Sequence, residues 1–435
     1  MNEWKTEALV GADKKFIWHP FTDMREWCAS DYEPLILVEG RGALVRDSHG
    51  REYIDGNSSI WTNIHGHNHP HINEAIRRQL KRVAHTSFLG FTNPAAIELA
   101  RTVVGLFPEN SLRRVFYSDD GSTGVEVALR MADQYWRLRN TRRTQFIAFQ
   151  NGYHGDTAGA ASLGAAAMFQ KGGSRWNLPV MQVPTLKALE RLSATEVAKT
   201  AALVIEPLIQ GAAGMKLWPP GMLKTVREWC DRTGTLLIVD EVMTGFGRTG
   251  RMFAIEHEGV IPDMIVLAKG LTGGYLPLAI TLTTEEICGR FDGSVAEGKA
   301  LAYGHSYTGN ALACAAAQAS LEIFKQERVL ESLHPKIDQM RAELSRLGDL
   351  AIVGEVRQCG FIAAIELKEG PAPNGPGRSL AGEVCLAARR HGLLTRPIRN
   401  VIVLMPPLCI TPAQLSKAIA AIRISILDVC EQRSE

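Results

Sequence analysis

Two short apolar runs constrain this chain more than any other feature: LLIV at 236–239 and MIVLA at 264–268, both with the length and β-branched content of strands buried on both faces. Each ends in one ionisable residue, Asp240 after the first and Lys269 after the second. In an open parallel sheet, ligands sit beyond the carboxyl ends of the strands, so the acid and the amine would face one crevice. That pair suits a cofactor carrying a ring nitrogen and an aldehyde. Pyridoxal 5'-phosphate needs a lysine amine to condense with its aldehyde. It also needs a carboxylate beside the pyridinium nitrogen, which keeps the ring an electron sink. Singly, Asp240 would read as a loop cap and Lys269 as a solvated surface lysine; the pair favours a site.

Gly245, Gly247 and Gly250 spell G-x-G-x-x-G in the same stretch. A dinucleotide fingerprint follows its strand directly and opens a helix, whereas here Glu241 to Thr244 intervene and Gly-Arg-Thr-Gly is a poor helix start, so a nicotinamide reading is set aside. A better anion site is SDDGSTG at 118–124, which follows a short strand at 115–117 and precedes an amphipathic helix expected to begin near Val125. Glycine-rich backbone at a helix N-terminus offers free N–H groups, and Gly121 and Ser122 would hold the cofactor phosphate. Taken alone, a capped helix without a ligand fits these residues better. The strand in AALVIEPLIQGAAG leaves Glu206 and Gln210 beyond its end, with Gln210 expected to reach the phenolic oxygen of the cofactor.

A chain of 435 residues that is 46% hydrophobic can bury a large core and divide into lobes. Its 48 basic residues balance 46 acidic ones, so no nucleic-acid partner is implied. The N-terminus has no apolar signal core and no run of about 18 apolar residues occurs, which disfavours export and membrane spanning and points to the cytoplasm. The eight cysteines are scattered without a C-x-x-C pair and read as reduced thiols. His65, His67, His69 and His71 in HGHNHPH lie in a turn with Gly66 and Pro70, a poor frame for a tetrahedral metal site, so no metal is expected.

Residues 1–34 read as an irregular arm, and 35–56 as a small antiparallel meander. NSSIWTNIHGHNHP then forms a loop carrying Ile60 and Trp61. Helices are expected over 71–84 and from Asn93, with Asn93 as N-cap and Pro94 in the first position. After Val329, helices alternate with short strands, and KEGPAPNGPGRS reads as an exposed loop. Three units follow: 1–70 as arm and meander, 71–325 as a large cofactor-binding domain, and 326–435 as a small α+β domain that the meander completes. No internal repeat is present.

DEVMTGFGRTG, followed by Lys269 in LAKGLTGG, resembles the signature of class III, fold type I, aminotransferases. The resemblance implies an α/β fold with a mostly parallel central sheet and a smaller α+β domain, with pyridoxal phosphate as cofactor. It further implies that Tyr153 of NGYHGDT lies over the cofactor ring, braced by Asp156. GHSYTGN resembles the segment that crosses the dimer interface in this family, which puts Gly304, His305 and Ser306 at the pocket of a neighbouring subunit, with Ser306 on its phosphate. A homodimer with shared active sites is thereby implied.

Within the class, nearly the whole chain is similar to the 7,8-diaminopelargonate aminotransferases of biotin synthesis, most distinctively in IWHPFTDM and TRPIRNVIVLMPP. This implies amino transfer to 8-amino-7-oxononanoate, with Phe21, Ile60, Trp61, Tyr153, Gly304 and Arg396 around the substrate and Arg396 on its carboxylate. For an isolated arginine, a surface ion pair is the plainer reading. Members that use S-adenosylmethionine carry Tyr in place of Phe21 and Trp in place of Ile60. Losing a hydroxyl and a flat aromatic face weakens a sulfonium site, which favours L-lysine as amino donor. The alternatives are the S-adenosylmethionine-dependent enzyme, a broad ω-aminotransferase for diamines or β-amino acids, and a cofactor-free binding protein of this fold.

Overall fold

The computed structural model describes residues 5–164, 178–368 and 379–434. Its centre is a seven-stranded sheet in the order Leu112–Ser118, Ala279–Thr284, Met264–Leu267, Leu236–Asp240, Thr200–Ile205, Gln145–Phe149, Val180–Val183. Only Ala279–Thr284 runs against the others. The reason these segments are strands is visible in their side chains. Along the three central strands, Leu203 and Ile205, Leu237 and Val239, and Ile265 and Leu267 enter one core, while Ala202 and Val204, Leu236 and Ile238, and Met264 and Val266 enter the other. That period of two, with every position apolar, is what burial on both faces requires.

Register fixes what meets at the carboxyl edge. Val239 pairs with Ile205, so Glu206 falls beside Asp240, and Asp240 itself pairs with Val266, three residues short of Lys269. The helix Gly121–Leu138 covers one face. The alanine-rich helix Ala311–Gln326 packs with Pro70–Leu80 and Pro94–Val104 beyond the other, its small side chains allowing close approach. Asn93 caps the last of these helices through Ala96 N at 2.9 Å.

The meander at Leu37–Arg41, Leu44–Asp47 and Glu52–Asp55 forms as expected, and Leu393–Leu394 joins it in parallel, so the two ends of the chain share a sheet. A second four-stranded sheet holds Val353–Cys359, Ile362–Leu367, Val401–Leu404 and Pro397–Ile398.

Two expectations are corrected. The arm is not irregular throughout: Thr6–Phe16 and Met24–Trp27 are helices, the second capped by Asp23. The helix expected from Val125 starts at Gly121, because Asp120 and Thr123 form a reciprocal capping box there. Most of the KEGPAPNGPGRS loop lies outside the described residues. Among those described, no helix is long and apolar enough to cross a membrane.

Candidate active site

At the carboxyl edge of the sheet a cavity of about 460 Å3 opens between the ends of five strands. Its floor is a buried chain of acid, imidazole and acid. His154 Nδ1 lies 2.8 Å from Asp240 Oδ2, and since a carboxylate only accepts, Nδ1 carries the proton. Asp240 Oδ1 accepts from Val242 N at 3.0 Å, which fixes the carboxylate plane. Glu206 accepts from Gly211 N at 3.0 Å and Tyr153 N at 3.2 Å. Burial pushes the Glu206 carboxyl up to about 7; the His154 charge opposes this, and Asp240 adds to it. Burial works to lower the His154 pKa, but the hydrogen bond to Asp240 and the charges of Asp240 and Glu206 outweigh it, so the imidazole is raised.

Lys269 follows the next strand at φ 46°, a left-handed conformation unusual for a non-glycine residue. Its Nζ stands 4.9 Å from the Trp61 ring centroid and has no hydrogen bond or ion pair among the described residues. Burial lowers its pKa, the Asp240 and Glu206 charges oppose, and Arg248 reinforces the lowering. The side chain is half-buried and lines the cavity. The outcome is an amine with a raised share of its nucleophilic, unprotonated form.

Opposite the amine, Gly121 and Ser122 line the cavity at the N-terminus of the 18-residue helix, as expected. Asp120 satisfies Thr123 N at 2.9 Å, which leaves the Gly121 and Ser122 amides as the open donors of the first turn. The Ser122 hydroxyl is already engaged by Asp156 N at 2.9 Å, Thr157 N at 2.8 Å and Thr157 Oγ1 at 2.9 Å, so this residue offers its amide and not its side chain. A Cβ at 121 would lie 2.6 Å from Val242 Cγ1, so glycine is required for the helix end to approach the floor.

These groups fit the cofactor anticipated from the sequence. A held carboxylate, a partnerless amine and two free amides at a helix N-terminus match its ring nitrogen, aldehyde and phosphate. Tyr153 lines the same cavity, its hydroxyl bonded to Asp156 Oδ2 at 2.7 Å and its pKa raised by burial first and then by that bond.

A second cavity of about 770 Å3 shares Trp61, Tyr153 and Lys269 with the first, and brings in Phe21, Ile60 and Arg396. Arg396 makes no hydrogen bond or ion pair among the described residues, so the surface ion pair is not formed. Two groups do not converge. Gln210 is buried outside both cavities, its amide donating to Gln150 O at 3.0 Å, because the short Ile209–Gln210 strand turns it away. Gly304, His305 and Ser306 line neither cavity of their own chain; Gly304 and Ser306 are exposed, and His305 lies 3.1 Å from Asp119.

Sequence reasoning left His154 and Arg248 without roles, and Glu206 unassigned. His154 was readable as the fourth residue of NGYHGD; nothing marked Arg248, which is buried and holds the carbonyls of Pro406 at 2.6 Å and Asn63 at 3.2 Å. The four HGHNHPH histidines are taken singly: His67 by Asp55, His69 by Glu327, His71 by Glu322, and His65 by Ser320.

The profile described as aminotransferase class-III matches residues 28–426. An adenosylmethionine-8-amino-7-oxononanoate aminotransferase of Nitratidesulfovibrio vulgaris is 45% identical across 99% of this chain and 84% of its own length. One of the same name from Geobacter sulfurreducens is 43% identical across 98% of this chain and 99% of its own. Among solved structures, the enzyme of that name from Methanocaldococcus jannaschii superposes with a TM-score of 0.93 at 40% identity, covering 97% of this chain and 99% of the other. A transaminase from the marine bacterium Virgibacillus gives 0.89 at 32% identity, covering 98% and 99%.

Proposed function

Because this chain belongs to the class III aminotransferases, which work with pyridoxal 5'-phosphate, we propose that it transfers an amino group to 8-amino-7-oxononanoate, giving 7,8-diaminononanoate for biotin synthesis. The observation that carries this reading is Arg396, a guanidinium without a protein partner in a largely apolar cavity that also contains Lys269. A long acyl chain between a reacting carbon and a terminal carboxylate fits such a space, with the guanidinium fork gripping the carboxylate. The names of the relatives, which specify this acceptor, support it.

The cofactor, when bound, supplies an electron sink for the carbon that loses its proton. Asp240, oriented by His154, would face the ring nitrogen. The amides of Gly121 and Ser122 would take the phosphate, and Tyr153 would cover the ring. Lys269 Nζ would take the proton from the amino-bearing carbon of the donor and pass it to the cofactor within the first half of the cycle, and in the second half would carry a proton the other way, to the carbon of the acceptor that gains the amine. Phe21, Ile60 and Trp61 form an apolar wall beside this transfer. The same cavity serves both substrates in turn, so kinetics are ping-pong.

L-Lysine is the proposed donor, on the strength of Phe21 and Ile60, which remove a hydroxyl and a flat ring from the wall. The second reading, S-adenosylmethionine, is favoured by the names of the relatives. We take the working form to be a cytoplasmic homodimer in which residues 304–306 of one protomer reach the cleft of its partner.

The test is an assay for the diamine with 8-amino-7-oxononanoate and each donor, on wild type and Arg396→Met. Losing a charged, bidentate contact should raise KM for the acceptor by about 10- to 100-fold. An unchanged KM, or no diamine from either donor, overturns the reading.

A further inference from the structure

We propose that Asp13 is a positioning residue whose carboxylate clips His19 to Trp27, so that Trp18 and Phe21 stand as one wall of the substrate cavity. The inference rests on the reading of that cavity given above. Asp13 lies in the last turn of Thr6–Phe16, with a side chain only 12% exposed. Its carboxylate oxygens sit 3.0 and 3.1 Å from His19 Nε2, which as the partner of a carboxylate must donate. Oδ2 also accepts from Trp27 Nε1 at 2.7 Å, across the whole loop. The His19 and Trp27 rings close the clip in a tilted contact, 4.1 Å between centroids at 37°.

His19 and Trp27 are thus held by one carboxylate, and the segment around them faces the cavity. Trp18, Pro20 and Phe21 line that space together with Ile60 and Arg396. Within the loop Thr22 Oγ1 donates to Pro20 O at 2.8 Å, and Asp23 caps Met24–Trp27. The helix that carries Asp13 is itself tied down, with Lys14 Nζ donating to Ala29 O and Tyr32 O at 2.6 Å each, and Thr6 Oγ1 to Ser48 Oγ at 2.8 Å.

With the clip intact the wall is pre-ordered, and a substrate does not have to immobilise it on binding. Without the clip, that ordering falls on the binding step. Asp13 touches neither Lys269 nor Asp240, so chemistry once substrate is bound is unaffected.

The experiment uses holoenzyme, with 8-amino-7-oxononanoate as the probe. Asp13→Ala should raise its KM about tenfold, part of the loss of the bonds to His19 and Trp27 being expressed in the binding equilibrium, while kcat and cofactor absorbance hold. Trp27→Phe, which keeps the ring stack and removes the N–H, should give part of that rise, and Asp13→Asn, which keeps an acceptor, less than Asp13→Ala. Chymotrypsin cleavage after Trp18 or Phe21 should quicken in Asp13→Ala and slow again with saturating acceptor. An unchanged KM, or a parallel fall in kcat and cofactor loading, overturns the proposal. Arg396→Met is run alongside. If it leaves KM unchanged, the substrate reading of the cavity fails, while the cleavage rate still reports on the clip.

Discussion

Substituting Gly121 by alanine puts one methyl group against the floor of the cofactor cleft. The new Cβ would lie 2.6 Å from Cγ1 and 2.9 Å from Cγ2 of Val242, whereas carbons attract at about 3.5–4.0 Å. One partner must therefore yield by about 1 Å. Neither is free to do so. Gly121 opens a helix whose Gly124 is seated so closely on Val266 that a Cβ there would come within 2.7 Å of Cγ1. Val242 N in turn holds Asp240 Oδ1 at 3.0 Å.

Overpacking of this kind costs about 1–3 kcal/mol. The displaced groups, the 121 and 122 amides at one side and Asp240 at the other, would grip opposite edges of one ligand. The cost should fall on cofactor binding, raising the Kd of pyridoxal phosphate about 10- to 100-fold in a spectrophotometric titration of apoenzyme. Val242→Ala removes the two opposing methyls, so the double variant should bind within about threefold of Val242→Ala alone, a coupling that additive effects cannot give. Wild-type affinity in Gly121→Ala would refute the reasoning, as would a double variant no better than the sum of its parts.

Two further outcomes follow from the floor. Folded Glu206 holds its proton to about pH 7, whereas the ordinary value is 4.5. Between those values the folded state binds more protons than the unfolded one, so the contribution of this group to stability falls as pH rises, by about 1.4 kcal/mol per pH unit. Glu206→Gln should remove that share of the slope in urea unfolding between about pH 5 and 7, and curves parallel to wild type would contradict it. His154→Gln takes the imidazole from Asp240 and should lower kcat about 10- to 100-fold, with KM for the acceptor changed far less; an unaltered kcat would remove His154 from the site.

The sheet was legible because its strands are apolar at every position, and the Asp240 and Lys269 pair because each closes such a strand. What could not be read depends on contacts made across the fold. The arm looked irregular because IWHPFTDM breaks periodicity at Pro20, yet Thr6–Phe16 is held by Lys14 bonds to carbonyls beyond the next helix. The helix at 121 looked late by a turn because two glycines weaken its intrinsic preference, and the Asp120 and Thr123 box overrides them. Gln210 looked like a pocket residue because it follows a strand end, but a two-residue strand with Lys216–Leu217 redirects it.

Backbone strain and a buried charge meet at the cleft. Trp61 and Lys269, which line it, hold left-handed φ angles of 64° and 46°, each costing an L-residue about 1–2 kcal/mol. Arg248, wholly buried, has carbonyls and no carboxylate in hydrogen-bond reach, and burial lowers its pKa to about 9. None of this favours folding. Its effect is local: Arg248 Nη2 also reaches the Trp61 carbonyl at 3.4 Å, which helps set the ring that faces Lys269, and its charge joins burial in lowering the pKa of that amine. Trp61 and Lys269, which face each other across the cleft, both carry such strain, and a surrounding structure tolerates it where a site needs the geometry.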